Sequence, residues 1–345
     1  MRRLEAWAGV LALLLVPLNA RAVSNGTQAG SFLLIGDGAR AAAMGEAFTG
    51  LADDVTAASW NPAGLTQVVG FESSLAYADW FADTSYSTVA FGGPVAADHF
   101  LAGTIHYFHV PRIANVPEEV EPGVDLTNVA VGPAYAYRWS DRISLGGGLK
   151  FLSQGVSQEG RPASNAASAL VDLGAQVHYP DPAVTLGFAL QNMGARLKFR
   201  DAKSPSPFWA RLGLAWRAWH DEWLEVGLTG DVSQPVDTGY RLVVPSGGLS
   251  DIFRISLKGN KQNRYNWALG TEWRLARILA LRAGWTTRIG SDINSPSAGA
   301  GVRFAVDPFT YALDYSWSYW ADLSANVSRV ALTIGYRPRP HETED

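Results

Sequence analysis

From residue 71 onward, apolar and polar residues alternate with a period of two, which places successive side chains on opposite faces of a strand. In 309–319, Phe309, Tyr311, Leu313, Tyr315, Trp317 and Tyr319 oppose Thr310, Ala312, Asp314, Ser316 and Ser318. In 127–139, Val129, Val131, Pro133, Tyr135, Tyr137 and Trp139 oppose Asn128, Ala130, Gly132, Ala134, Ala136 and Arg138. In 142–153, Ile143, Leu145, Leu149 and Phe151 oppose Arg142, Ser144, Gly148 and Lys150. The pattern predicts fourteen strands, at 71–80, 85–95, 98–110, 127–139, 142–153, 167–179, 183–191, 207–218, 222–233, 263–274, 277–288, 297–306, 309–319 and 328–337.

The gaps between these strands are sorted by length. Those at 139–142, 179–183, 218–222 and 306–309 are tight and carry turn residues: Ser140-Asp141, Pro180-Asp181-Pro182, His220-Asp221 and Asp307-Pro308. Aromatic residues stand beside them: Trp139, Tyr179, Trp219 and Phe309. The intervening gaps at 111–126, 154–166, 192–206, 234–262, 289–296 and 320–327 are long, with 81–84 the short exception. Short turns on one rim, long loops on the other and an even strand number describe an up-and-down transmembrane barrel with both termini in the periplasm. The predicted fold class is therefore all-β, an antiparallel barrel at 71–337, with a polar C-terminal tail at 338–345.

The N-terminus supplies a route to that membrane. Arg2 and Arg3 precede an apolar stretch, Ala6 to Leu18, and Ala20-Arg21-Ala22 is a small-x-small cleavage site. This is the pattern of a secretory signal peptide over residues 1–22. Thirteen residues are too short for a span, which needs about 20, and no apolar run of 18 follows. A closed barrel is the remaining way to satisfy every backbone group in lipid. Removing 1–22 takes three Arg and one Glu from 28 basic and 32 acidic residues, leaving a net charge of −6. No clustered basic surface for nucleic acid is evident. The chain has no cysteine, so lipidation at a mature Cys, disulfides and thiolate metal sites are excluded.

Residues 23–70 break the alternation. They are small and Gly-rich and predict short helical turns in a hatch folded inside the lumen. Asp53 or Asp54 is placed to cap a turn over Val55 to Trp60, and Asn61-Pro62 to cap a second. Gly64 permits a tight or left-handed backbone before the first strand.

Two stretches, Phe32 to Ala47 (FLLIGDGARAAAMGEA) and Leu51 to Leu65 (LADDVTAASWNPAGL), resemble the N-terminal signature of PorV/PorQ-type proteins. These belong to the wider superfamily of FadL-type hydrophobic-compound transporters. Asp53-Asp54 followed by Asn61-Pro62-Ala63-Gly64-Leu65 is shared with that superfamily, whereas Gly38-Ala39-Arg40 and Met44-Gly45 point to the PorV/PorQ branch. Leu313 to Trp317 (LDYSW) is similar to that branch as well. Glu46 stands where a second Gly is usual, and Asn326 to Val330 lacks the usual Thr-His-Arg run. The resemblance implies an outer-membrane location and a 14-stranded barrel plugged by its hatch. It also implies two candidate functions. The first is passive transport of hydrophobic small molecules; the second is a PorV-like part in type IX protein secretion, with secretion-system proteins or cargo as partners.

No catalytic constellation emerges. His106 and His109 fall on opposite strand faces and do not chelate one metal. His178 reads as a solvated rim residue, and the acidic loop of Glu118, Glu119, Glu121 and Asp125 lacks EF-hand spacing. Gly146-Gly147-Gly148 lies mid-strand, where it eases curvature or makes room for the hatch. The expectation is no enzyme activity, no cofactor and no metal, with outer-membrane lipid as the surrounding partner. Charge on the lipid face costs about 2–4 kcal/mol for Arg or Lys at the midplane, so the polar phase is assigned inward. It carries Arg138, Arg142, Lys150, Arg211, Arg217, Arg274, Arg282, Arg303 and Arg329 against Asp172, Glu225, Asp231, Glu272 and Asp314. These charges are expected to pair with one another and so fill and solvate the plugged lumen; the alternative is that surplus wall arginines bind Asp53 and Asp54 of the hatch.

Overall fold

The computed structural model describes residues 30–81, 83–111, 124–158, 161–199, 202–236, 265–288, 294–321 and 324–337. The expected signal peptide, the tail from 338 and most of the 111–126 and 234–262 loops lie outside the described residues.

The strands are β1 (Phe71–Asp79), β2 (Ser85–Ala96), β3 (His99–Val110), β4 (Val124–Arg138), β5 (Ile143–Gln158), β6 (Arg161–Tyr179), β7 (Val184–Gly194), β8 (Leu197–Phe199), β9 (Ala202–Ser204), β10 (Trp209–His220), β11 (Leu224–Pro235), β12 (Asn266–Leu275), β13 (Leu279–Arg288), β14 (Asn294–Val306), β15 (Phe309–Trp320) and β16 (Ala325–Tyr336). All but β8 and β9 form one closed barrel in which sequential strands are neighbours and β1 pairs with β16. That closure runs antiparallel from Phe71 opposite Tyr336 to Asp79 opposite Ser328. Fourteen closed strands leave no free edge in the hydrocarbon, as the alternation required.

The apolar phase faces outward. Leu75, Phe91, Ile105, Phe151, Leu269, Leu281 and Leu313 are exposed to the membrane, while their strand neighbours Ala76, Ala90, Thr104, Leu152, Ala268, Arg282 and Asp314 are buried. Trp139, Trp219, Trp223 and Phe309 mark the rim of short turns, the interfacial girdle of a membrane barrel.

Two expected loops are different. The 154–166 segment is largely strand: β5 and β6 continue upward, paired as far as Gln158 opposite Arg161. Their outward residues become small and polar there, so alternation disappears although the ladder persists. The 192–206 segment holds the β8–β9 hairpin, a separate two-stranded sheet.

Residues 30–70 fill the lumen. A 3₁₀ turn at Ser31–Leu34 leads to α1 (Ala39–Ala43), α2 (Ala57–Trp60) and a second 3₁₀ turn at Pro62–Gln67. Such short helices are marginal alone; they persist because nearly every residue from Gly36 to Val68 is buried or half-buried against the wall. Wall glycines make the fit possible. A Cβ on Gly146 would overlap the backbone of Pro62 and Ala63, one on Gly187 that of Thr49, and one on Gly284 that of Met44 and Gly45. The mid-strand glycine run at 146–148 thus makes room for the hatch at its first member. Gly64 acts by the same means and not through a left-handed backbone: a Cβ there would overlap the Ala52 carbonyl.

Candidate functional site

The contact between hatch and wall is the most organised polar assembly among the described residues. At its centre is Arg40 of α1, only 6% exposed. Its Nε and Nη2 donate to the two carboxylate oxygens of Glu272 on β12 at 2.9 and 3.0 Å. Its Nη1 donates to Asp53 Oδ1 at 2.5 Å and to Asp54 Oδ2 at 2.9 Å. A fork of fixed donors suits this bidentate geometry as an ammonium does not. Glu272 also accepts from Arg274 at 2.8 Å and Arg282 at 2.7 Å. Arg282 continues to Asp314 at 2.6 Å. The result is a chain of alternating charge from the hatch across three wall strands.

This corrects the alternative in which wall arginines bind the hatch aspartates. Asp53 and Asp54 are held chiefly by Arg40 of the hatch itself, and the wall contributes an acid, Glu272, to hold that arginine. Of the described wall arginines only Arg274 reaches Asp53, at 3.8 Å. The reason is reach: α1 places the guanidinium between the Asp pair and β12, so one short-range fork replaces several long ones. Burial pulls the Arg40 pKa down, but Asp53, Glu272 and Asp54 outweigh it and raise it well above the usual range. Burial likewise raises the Asp53 carboxyl, and Arg40 and Arg274 overcome this to leave it below its ordinary value.

The cap residues divide the work. Asp54 Oδ1 accepts from the Thr56 backbone N–H at 3.0 Å, just before α2. Asn61 Oδ1 accepts from Ala63 N–H at 3.3 Å with Pro62 at the first position of the second 3₁₀ turn. The Asn61 amide also donates to Thr49 O at 3.0 Å and to Ala175 O of β6 at 3.1 Å. Asn61 is thus a rivet between two hatch segments and the wall.

Other wall side chains satisfy hatch backbone groups. Asp231 accepts from Phe48 and Thr49 N–H at 3.1 and 2.8 Å. Ser297 accepts from Gly45 N–H and donates to Ala43 O, at 3.0 and 3.1 Å. Arg329 donates to Gly36 O at 2.7 Å, and Arg138 donates to Thr66 O. Glu46, the departure from the usual Gly, adopts φ +66°; its carboxylate accepts from Gly36 N–H at 3.2 Å and lies 3.5 Å from Arg329. Those bonds hold a side chain in a backbone region that favours glycine.

Of the remaining lumen charges, Arg211 lies over the Trp60 ring of the hatch at 5.1 Å, whereas Lys150 and Arg303 stand apart from it. Lys150 pairs with Asp172 at 2.7 Å and donates to Asn192 at 2.9 Å, within the wall. Arg303 is exposed at the periplasmic mouth, lining a cleft of about 250 Å³ with Arg274, Arg282 and Asp314.

One cluster was not anticipated. His106 is buried on the inward face of β3, with His109 on a different face as expected. Tyr86 OH donates to Asp37 Oδ1 at 2.7 Å and lies 3.0 Å from His106 Nδ1; Ser59 Oγ lies 3.4 Å from Nε2. The period-two phase separated His106 from His109 without assigning either inward, and only the fold brings Asp37, Ser59 and Tyr86 to His106. Burial raises the Asp37 carboxyl, yet the His106 charge and hydrogen bonds from His106, Ser59 and Tyr86 bring it down to about 2.

A closed barrel with an apolar outer belt, aromatic rim and an interlocked N-terminal hatch defines a plugged outer-membrane barrel of FadL-like architecture. Solved structures share that fold. The chain is similar to the CymD monoaromatic hydrocarbon channel at 11% identity and a TM-score of 0.61, over 90% of this chain and 99% of that one. The Ralstonia pickettii toluene transporter TbuX matches at 14% identity and 0.57, over 90% and 100%. The Pseudomonas putida toluene transporter TodX matches at 13% and 0.54, over 87% and 97%. The chain belongs to the PorV family: the model of the type IX secretion system protein PorV matches residues 19–236. No curated protein sequence matches it. It is an outer-membrane protein.

Proposed function

We propose that this barrel serves type IX protein secretion through its outer surface, with its lumen held shut. The observation that carries this reading is the seating of the hatch, whose backbone lies against wall glycines while Arg40 is clamped by Glu272, Asp53 and Asp54. A plug fixed by desolvated charge-assisted bonds is costly to displace. Membership of the PorV family supports the same reading. Partners are then secretion-system proteins or exported cargo. Ser59, His106 and Asp37 resemble a Ser–His–acid set, but His106 is 2% exposed and Tyr86 bridges it to Asp37; we read the cluster as a structural bond network and the chain as no enzyme. Deleting the gene in a bacterium with type IX secretion is expected to strip exported cargo from the cell surface. Unchanged surface cargo rejects the reading.

A second reading, passive passage of hydrophobic small molecules, is favoured by one feature. In the outer half of the lumen Phe32 stacks on Phe108 at 5.8 Å, beside buried Leu152, Leu170 and Leu197. That apolar cluster, on the fold of monoaromatic channels, suits an apolar solute. Uptake of labelled toluene by cells with and without the protein tests it; identical uptake rejects it.

A further inference from the structure

Among the described residues, the tall β5–β6 hairpin ends the wall with an open edge. A strand crosses the bilayer in about 9–11 residues, whereas β6 has 19 and β5 has 16. The outward residues show where the membrane stops. On β5, Leu149 and Phe151 give way to Ser153, Gly155 and Ser157; on β6, Leu173 and Val171 give way to Ala169, Ala167 and Asn165. About seven residues of β5 and nine of β6 therefore extend beyond the apolar belt, some 23–30 Å of strand length at about 3.3 Å per residue. This is the side opposite the short turns.

Over that height β6 is paired on one flank only. It pairs with β5 throughout. Its pairing with β7 begins at Leu170 opposite Gly194. From Arg161 to Ala169 no described strand is hydrogen-bonded to the other flank. At the base the Ser168 hydroxyl donates to Ala195 O at 3.4 Å. Beyond it β8 packs Leu197 into the inner cluster of Ala166 and Leu170, in its own small sheet. Natural edges are usually guarded by charge, above all lysine, by proline or by bulges, and the tip of β6 carries Arg161 and Pro162. Between Ser164 and Ala169 this edge has none of these: its residues are Ser, Asn, Ala, Ala, Ser and Ala, with Asn165, Ala167 and Ala169 exposed.

We propose that the β6 edge from Ser164 to Ala169 is a β-augmentation site that receives an extended segment of an exported polypeptide at the cell surface. An unguarded edge offers backbone N–H and C=O groups at strand spacing, which bind any extended chain largely regardless of sequence. Small side chains on both faces leave room for varied partner residues. A surface that handles many exported proteins needs that tolerance. The proposal rests on the secretion reading and names the element that carries it.

The test uses the full chain in a bacterium with type IX secretion. The double variant Asn165→Lys, Ala167→Lys adds the missing guards at two exposed positions. It is expected to lower surface cargo at least about tenfold while heat-modifiable barrel in the outer membrane stays at wild-type level. A photo-crosslinking residue replacing Ala167 is expected to join exported polypeptide, and one replacing lipid-facing Leu173 is not. If the double variant fails to assemble, Ala167→Lys alone and the crosslink decide. Wild-type export by the lysine variants overturns the proposal, as does an adduct to a second copy or within the chain itself. If gene deletion stops export and the lysine variants do not reduce it, only the edge assignment falls; if deletion has no effect, the secretion reading falls with it.

Discussion

Arg40 of the hatch and Glu272 of β12 form a two-pronged pair, with Nε and Nη2 donating to separate carboxylate oxygens at 2.9 and 3.0 Å. The pair is 232 residues apart in sequence and joins the plug to the wall. Replacing Arg40 by Met keeps most of the volume but leaves Asp53 and Asp54 without their main cation. Breaking a buried pair in this way costs about 3–5 kcal/mol. The barrel, closed by its own ladder, is expected to stay heat-modifiable. Proteolysis between residues 40 and 66 is expected to accelerate at least about a hundredfold, with noisier conductance in planar bilayers. Wild-type protection in Arg40→Met removes the latch role.

Asn61→Ala and Asp54→Ala rank the two cap residues. As caps alone, the charged Asp54 is the stronger candidate. In the structure Asn61 is fully buried and makes three hydrogen bonds, two of them to carbonyls of Thr49 and Ala175. At about 1 kcal/mol net for each bond, Asn61→Ala is expected to loosen the hatch by roughly 2–4 kcal/mol. Asp54→Ala is expected to cost about 1–2 kcal/mol, since Arg40 keeps Asp53 and Glu272. Amide hydrogen exchange across residues 44–66 measures both; the opposite order contradicts the rivet assignment.

Gly284→Ala tests the fit of hatch to wall. The new methyl group meets the backbone of Met44 and Gly45, which has no flexible end to swing aside. The expected outcome is a folded barrel with a displaced hatch and raised ion conductance, because a lumen of this strand number conducts once unplugged. Gly147→Ala is the control, since its Cβ meets only ordinary contacts near Asp172 and Leu173. Equal conductance in the two variants argues against backbone contact as the seal.

Acid is expected to release the hatch only at low pH. Asp37 is held at about 2, and Asp53 below its ordinary 3.8. A carboxyl depressed in the folded state stabilises that state above its unfolded pKa and loses the contribution as pH falls through the folded value. The window therefore lies below about pH 4, reaching down toward 2 for Asp37. Conductance followed from pH 7 to pH 2 is expected to stay quiet to about pH 4; opening at pH 5 to 6 assigns the seal to other groups.

The strand order and the outward apolar belt were legible in the sequence because each rests on local information. A strand such as Phe309–Trp320 shows its two faces in its own residues, and a tight turn such as Ser140-Asp141 shows its own bend. Period-two phase also put Glu272 and Asp314 inward. Which partner each inward group meets was decided by tertiary structure alone. Arg40 meets Glu272, and Asp37 meets Tyr86 and His106, because barrel closure brings distant segments together through a lumen whose geometry no local pattern encodes. The open edge of β6 belongs to the same category. Above the bilayer nothing selects for apolar residues, so Asn165 and Ala167 carry no alternation, and only the backbone ladder to β5 makes them strand.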